Sequence, residues 1–290
     1  MSQRHELMAL GVQGTPVPLG TPLAVFENAC RDLLDRHPGT GMLVWPELHL
    51  FADGVPDQAR EAQLRAAAQP LDGPLVTALA AISRRLGVWL IPGSVCESGP
   101  EGALFNTAVV LSPDGDLTAS YRKIFPWRPT EPYTPGSQLC VFDIEGVGRF
   151  GLCICFDSWF PEISRNLAWM GAETIINPVK TTTPDRPQEM VIARANSITQ
   201  QVNFLTVNAA GPVGVGVSAL FGPEGEWVSG IDDERPGCFE AVLSSDRVHR
   251  TRRVGTAGVT RPWDFFRPGD VPVELPAYRG GGGGGGGGAG

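Results

Sequence analysis

Three short segments place a carboxylate, an ammonium and a thiol just past apolar runs: Trp45-Pro46-Glu47, Tyr121-Arg122-Lys123 and Cys153-Ile154-Cys155-Phe156-Asp157. A thiol becomes a strong nucleophile once its proton leaves, and a carboxylate can take that proton. An ammonium can stabilise the oxyanion formed when sulfur adds to a carbonyl or nitrile carbon. Such a set can attack that carbon and move the protons the attack requires, with no metal or organic cofactor. Each residue alone has a plainer explanation. A free Cys is usually a small buried hydrophobe, a Lys is nearly always solvated, and a Glu after a strand is commonly a loop or cap residue. The chemistry rests on their flanks and on their joint placement.

The thiol segment has the most specific flanks. The run Cys155-Phe156-Asp157-Ser158-Trp159-Phe160-Pro161-Glu162-Ile163-Ser164-Arg165 resembles the nucleophile motif of the nitrilase (carbon–nitrogen hydrolase) superfamily, and Leu167, Ala168, Gly171-Ala172-Glu173 and Asn177-Pro178 continue the match. This resemblance selects Cys155 as the nucleophile and leaves Cys153 as core packing. Strand alternation would turn both thiols to one face, with only Cys155 at the strand end. The superfamily carries its catalytic Lys in an Arg-Lys motif and its general base in a strand-Pro-Glu motif, which implies Lys123 and Glu47. Arg122-Lys123-Ile124, Pro126-Trp127, Pro129, Glu131 and Tyr133-Thr134-Pro135-Gly136 are closest to the aliphatic-amidase branch. There Glu131 matches a second Glu beside the Lys. The Cys-Phe-Asp-Ser-Trp-Phe-Pro-Glu run is also similar to N-carbamoyl-amine hydrolases, whereas nitrilases that act on nitriles usually carry Cys-Trp-Glu. The resemblance therefore implies hydrolysis of a small primary amide or N-carbamoyl compound to an acid and ammonia through a Cys155 thioester. A nitrile substrate and a Cys/His peptidase using His49 are the alternatives. No Asn or Asp stands beside His49 to orient it, and a binding-only module would have lost one of the three groups. Trp127, Phe156, Trp159, Asn177 and Thr181 are expected to contact substrate, favouring a compact, partly apolar acyl group.

Strand and helix signals alternate in a way that could position these groups. Leu7 to Val12, Met42 to Trp45, Val88 to Val95, Thr174 to Asn177 and Phe204 to Asn208 predict buried strands. Pro22 to His37, Gly73 to Leu86, Glu162 to Met170 and Gln188 to Gln201 predict helices. Hairpins are predicted for Phe105 to Leu111 with Leu117 to Arg122, for Cys140 to Ile144 with Arg149 to Cys155, and around Pro223-Glu224-Gly225-Glu226. This order suggests two mixed sheets with helices on their outer faces. It agrees with the four-layer αββα sandwich that the resemblance implies, over residues 1–245. Residues 246–279 read as a C-terminal arm of little periodicity, whose Trp263, Phe265 and Phe266 are expected to bury against the body or a partner. Residues 280–290 read as a disordered glycine tail.

Composition narrows the rest. With a net charge of −8 and no Lys/Arg run, a nucleic-acid partner is not expected, and no apolar stretch is long enough to predict a membrane span. Six scattered Cys in a chain of this length read as reduced thiols, which predicts a cytoplasmic protein. The four His do not cluster near Cys153 or Cys155, so no metal site is expected. The resemblance adds a homodimer or higher homo-oligomer formed through the helical layers.

Overall fold

A computed structural model describes residues 6–52 and 57–265. The glycine tail, Phe266 and the rest of the arm lie outside the described residues. Two sheets stack face to face. The first is ordered β13-β1-β2-β3-β5-β4, from strands β1 (Glu6–Gln13), β2 (Met42–Val44), β3 (Trp89–Ile91), β4 (Ser94–Ser98), β5 (Leu104–Leu111) and β13 (Gly237–Ser244), with β6 (Leu117–Arg122) also paired to β5. The second is ordered β12-β11-β10-β9-β8-β7, from β7 (Cys140–Ile144), β8 (Gly148–Leu152), β9 (Thr174–Val179), β10 (Asn203–Asn208), β11 (Ser218–Phe221) and β12 (Trp227–Ile231). Both sheets are mixed: β1-β2-β3 and β8-β9-β10 run parallel, and hairpins and returning strands complete them antiparallel.

Three cores follow from period-2 alternation along the strands. Met42, Val44, Ala108 and Val110 from the first sheet meet Phe150, Leu152, Ile176 and Leu205 from the second between the sheets. Leu43, Leu90, Val109 and Leu111 point the other way, onto helices α1 (Leu23–Arg36), α2 (Asp57–Ala67) and α3 (Pro74–Leu86). On the far side, Ile175, Phe204 and Ala219 pack on α4 (Pro161–Trp169) and α5 (Arg186–Gln200). The result is the αββα sandwich expected from the sequence. The helix ends obey simple rules: Pro74 and Pro161 open α3 and α4, and Gly87 closes α3 in the left-handed conformation.

The structure departs from the sequence reading at five places. Residues 88–95 form two strands, because Pro92 and Gly93 break the ladder. The strand leading to the nucleophile ends at Leu152 rather than Cys155. Helix α2 is polar, with Leu64 deeply buried, so it carries little apolar signal. Strand β13, which alternates cleanly at Phe239, Ala241 and Leu243, follows the last hairpin that the sequence predicts and was not itself expected. Finally, the arm begins with a helix, α6 (Ser245–Val254), whose N-terminus is capped by the Ser244 side chain accepting from the Asp246 N–H. The arm is fastened to the body. Arg252 donates to the Gln201 and Ala172 carbonyls, and Trp263 packs edge-on against Trp169 of α4. Phe265, by contrast, is exposed. No helix among the described residues is long and apolar enough to cross a membrane.

Candidate active site

Glu47 sits in the turn that follows β2, two residues beyond Trp45. The turn is held close to the β3–β4 connection. Gly93 has φ +90°, and a Cβ there would overlap the Pro46 carbonyl oxygen, so only glycine lets the two segments approach. One residue further, the Ser94 hydroxyl accepts from the Leu48 N–H at 3.0 Å. Glu47 is buried, and its Oε1 accepts from Asn106 Nδ2 at 2.7 Å and from Lys123 Nζ at 2.9 Å.

Lys123 follows β6. Alternation turns Arg122 the other way, where it donates to Glu97 and stacks on Phe105 at 3.9 Å from the ring centroid. The Lys123 side chain is fully buried, an expensive position for an ammonium unless anions meet it. Two do: besides Glu47, both oxygens of Glu131 accept from Nζ, at 2.8 and 2.9 Å. Burial pulls the Lys123 ammonium down, but Glu47, Cys155 and Glu131 outweigh it and hold the group well above its ordinary value. Glu131 also accepts from the Trp127 N–H at 2.9 Å, closing a short loop around the ammonium. Burial pushes the Glu131 carboxyl up. Lys123 opposes this, and the neighbouring Glu47 charge adds to it.

Cys155 opens a 3₁₀ turn, Cys155–Trp159, with φ +46°. A non-glycine residue in this region costs about 1–3 kcal/mol, a strain that concentrates at functional turns. The turn also overturns the alternation argument. Cys153 packs outward with Ile163 and Leu167, whereas Cys155 belongs to the layer between the sheets, so the two thiols face opposite ways. Burial pushes the Cys155 thiol well up, and Glu47 adds to this while Lys123 opposes it.

Asp157 ties the Cys155 turn to the segment that carries Lys123. Its Oδ2 accepts from the Tyr121 hydroxyl at 2.8 Å and the Ile154 N–H at 3.0 Å, and its Oδ1 accepts from the Phe125 N–H at 2.8 Å. One carboxyl thus links the Cys155 turn to the strand before Lys123 and the loop after it. Burial raises Asp157 to about 6, against the Lys123 charge and these three hydrogen bonds, which pull it down. The sequence reading gave no role to Asp157 or Asn106. Asp157 was visible as a motif position, but Asn106 lies within a uniformly buried strand and gave no signal.

Cys155, Glu131, Trp127, Phe156, Thr181 and Glu189 line one cavity of about 40 Å³. Asn177 and Trp159 do not line it. Asn177 donates to the Cys153 carbonyl and accepts from the Thr206 hydroxyl, and Trp159 packs against Phe156. His49 lies apart, in an aromatic cluster with Trp45 and Phe26 at centroid distances of 4.4 and 6.0 Å. Burial lowers it to about 3, so it is neutral at ordinary pH. Among the described residues no group of three His, Cys, Asp or Glu is arranged to hold a metal ion.

Residues 19–253 match the model of the carbon-nitrogen hydrolase family. The chain belongs to this family. Among its relatives, a formamidase of Bacillus cereus (strain B4264) is 33% identical over 209 residues, 69% of this chain, which spans 61% of the length of that formamidase. Among solved structures, Nit3 of Saccharomyces cerevisiae, a member of branch 10 of the nitrilase superfamily, superposes with a TM-score of 0.76 at 22% identity, over 86% of this chain and 94% of Nit3. An amidase from Nesterenkonia sp. superposes with a TM-score of 0.70 at 26% identity, over 90% of this chain and 97% of the amidase. A mutant of that amidase carries the acetamide moiety of fluoroacetamide covalently on its active-site cysteine.

Proposed function

We propose that this carbon-nitrogen hydrolase cleaves small neutral amides to an acid and ammonia, with Cys155 as nucleophile, Glu47 as general base and Lys123 as oxyanion donor. The observation that carries the reading is a single buried ammonium held between two carboxylates, with both Glu131 and the Cys155 thiol facing one cavity. The amidase and formamidase names of the relatives support it, as does the covalent cysteine adduct of the Nesterenkonia amidase.

In this reading Glu47 takes the thiol proton as sulfur adds to the amide carbon. The carbonyl π pair moves onto oxygen, where Lys123 stabilises it. Collapse breaks the C–N bond, and the proton held by Glu47 goes to the leaving nitrogen, releasing ammonia and leaving a thioester. Glu47 then accepts a proton from water as its oxygen attacks the thioester, and returns that proton to sulfur as the acid departs. Glu131 holds Lys123 in place through both of its oxygens.

Two features set the substrate class. The cavity is small, about 40 Å³, and Trp127 and Phe156 wall it, which favours a compact acyl group. With Glu47, Glu131, Asp185 and Glu189 against Lys123, Lys180 and Arg186, the site has no excess of positive charge to hold an anion, which disfavours N-carbamoyl amino acids with their free carboxylate. The test is an ammonia-release screen across formamide, acetamide, propionamide, N-carbamoyl glycine and the matching nitriles, with intact-mass detection of acyl adducts. Turnover confined to the small amides, with the adduct on Cys155 and no activity in Cys155→Ala, is expected. An adduct on another cysteine, or turnover of nitriles alone, would overturn the assignment.

A further inference from the structure

The cavity wall beside Cys155 contains a second buried carboxylate that the proposed reaction does not use. Glu189, in the first turn of α5, is only 5% exposed and lines the cavity. Its Oε2 accepts from the Thr181 hydroxyl at 2.5 Å and from Arg186 at 2.9 Å. Among the described residues Oε1 accepts no hydrogen bond. Arg186 is itself fixed, donating to the Val217 carbonyl and the Thr206 hydroxyl. Glu189 is therefore clamped through one oxygen while the other is left for whatever fills the cavity. The surrounding wall is polar, formed by Glu131, Lys180, Thr181, Thr182, Thr183 and Asp185, whereas Trp127 and Phe156 supply the apolar surface.

We propose that Glu189, held by Thr181 and Arg186, is a specificity subsite that accepts a hydrogen bond from the substrate's acyl group, so that the preferred substrates are small amides bearing a hydroxyl or amino donor. The inference rests on the amide-hydrolase reading above and names the substrate class for the same site. A plain alkyl amide filling the cavity would strip Glu189 Oε1 of any partner. A buried acceptor left unpaired carries the full cost of its desolvation, which is why sites built around a substrate hydroxyl reject the analogue lacking it. The Arg186 partner offsets the Glu189 charge, so a neutral hydroxyl suffices and an ammonium is not required.

Glycolamide and propionamide are nearly equal in size and differ by a hydroxyl in place of a methyl. Their kcat/KM ratio in the wild-type enzyme is expected to favour glycolamide by about 10- to 100-fold, the value of one hydrogen bond to a charged acceptor. In Glu189→Gln the carbonyl oxygen can keep the Thr181 and Arg186 contacts while an NH₂ replaces the acceptor facing the cavity, and the ratio should fall toward one. A wild-type ratio of one or less overturns the proposal, as does a folded Glu189→Gln that keeps the wild-type preference. If that variant does not fold, the wild-type ratio decides. If the wild type hydrolyses no amide, the amide-hydrolase reading fails by itself. Calorimetric binding of the same two amides to Cys155→Ala then decides the subsite: tighter glycolamide binding supports it, and equal or weaker binding overturns it.

Discussion

Asp157→Asn tests the carboxyl that fastens the Cys155 turn to the lysine segment. The folded-state value of about 6 lies above the ordinary value of 3.8 because burial outweighs the Lys123 charge and the three hydrogen bonds that favour ionisation. The carboxyl therefore stabilises the fold fully below about pH 4 and loses that contribution as pH rises through about 6. At about 1.36 kcal/mol per pH unit, the loss is about 3 kcal/mol. Asn has the same shape and does not titrate, so the difference in unfolding free energy between wild type and Asp157→Asn should shrink by about this amount between pH 4 and pH 7. Urea unfolding at intervals across that range measures it, and the other titrating groups largely cancel in the difference. The variant should be least stable relative to wild type at the acid end, where the neutral carboxyl is best suited to its site. A difference that stays flat, or grows as pH rises, would show that the hydrogen bonds from Tyr121, Ile154 and Phe125 beat burial, and the reasoning would fail.

Three other outcomes are expected. His49→Phe fills the aromatic cluster beside Trp45 but removes the imidazole. Activity within about threefold of wild type is expected, whereas a loss matching that of Glu47→Gln, on the order of 10²-fold for a general base, would favour a cysteine–histidine reaction. Gly93→Ala should force the Pro46 carbonyl away and shift Glu47 with it, lowering kcat together with the thermal midpoint; wild-type values of both would show that the close approach is unimportant. Glu131→Gln replaces a two-oxygen clamp on Lys123 with a single acceptor. A fall in kcat/KM of about 10-fold or more is expected from weakening a charge-assisted pair, and steady-state rates within twofold of wild type would remove Glu131 from the reaction.

What the sequence revealed, and what it hid, has a physical pattern. Buried strands and amphipathic helices were legible because burial imposes period 2 or 3.6, and the αββα layering followed from their order. Helix α2 was not legible, because among its described side chains only Leu64 is fully buried. Glu47, Lys123, Cys155 and Glu131 could be found because each stands in a short run whose Pro, aromatic and Gly neighbours shape the local backbone. Asn106 and Glu189 could not. Asn106 lies inside a strand buried along its whole length, and Glu189 sits on a helix whose hidden face is largely polar, with Arg186, Asn196 and Gln200 also buried. Polar residues there read as solvent-facing until the second sheet and its helices are placed. The two thiols show the opposite failure. Alternation is a rule for regular strands, and it was applied across a turn in which Cys155 has already left the strand with a positive φ.

The charges around Cys155 also constrain how the proposed reaction can run. Burial and the nearby Glu47 charge both raise the Cys155 thiol, and the single Lys123 ammonium does not overcome them. A resting thiolate would give the buried site three negative groups, Glu47, Glu131 and Cys155, against one positive group. Moving the thiol proton onto Glu47 as the sulfur–carbon bond forms keeps the total charge constant. Negative charge then leaves sulfur and grows on the substrate oxygen, while Glu47, now neutral, no longer competes for Lys123. The Lys123–Glu47 contact at 2.9 Å therefore weakens as the Lys123–oxyanion contact strengthens, and the ammonium favours the transition state over the resting enzyme. Glu131 keeps its two hydrogen bonds to Nζ throughout, which holds the buried ammonium while its other partner changes.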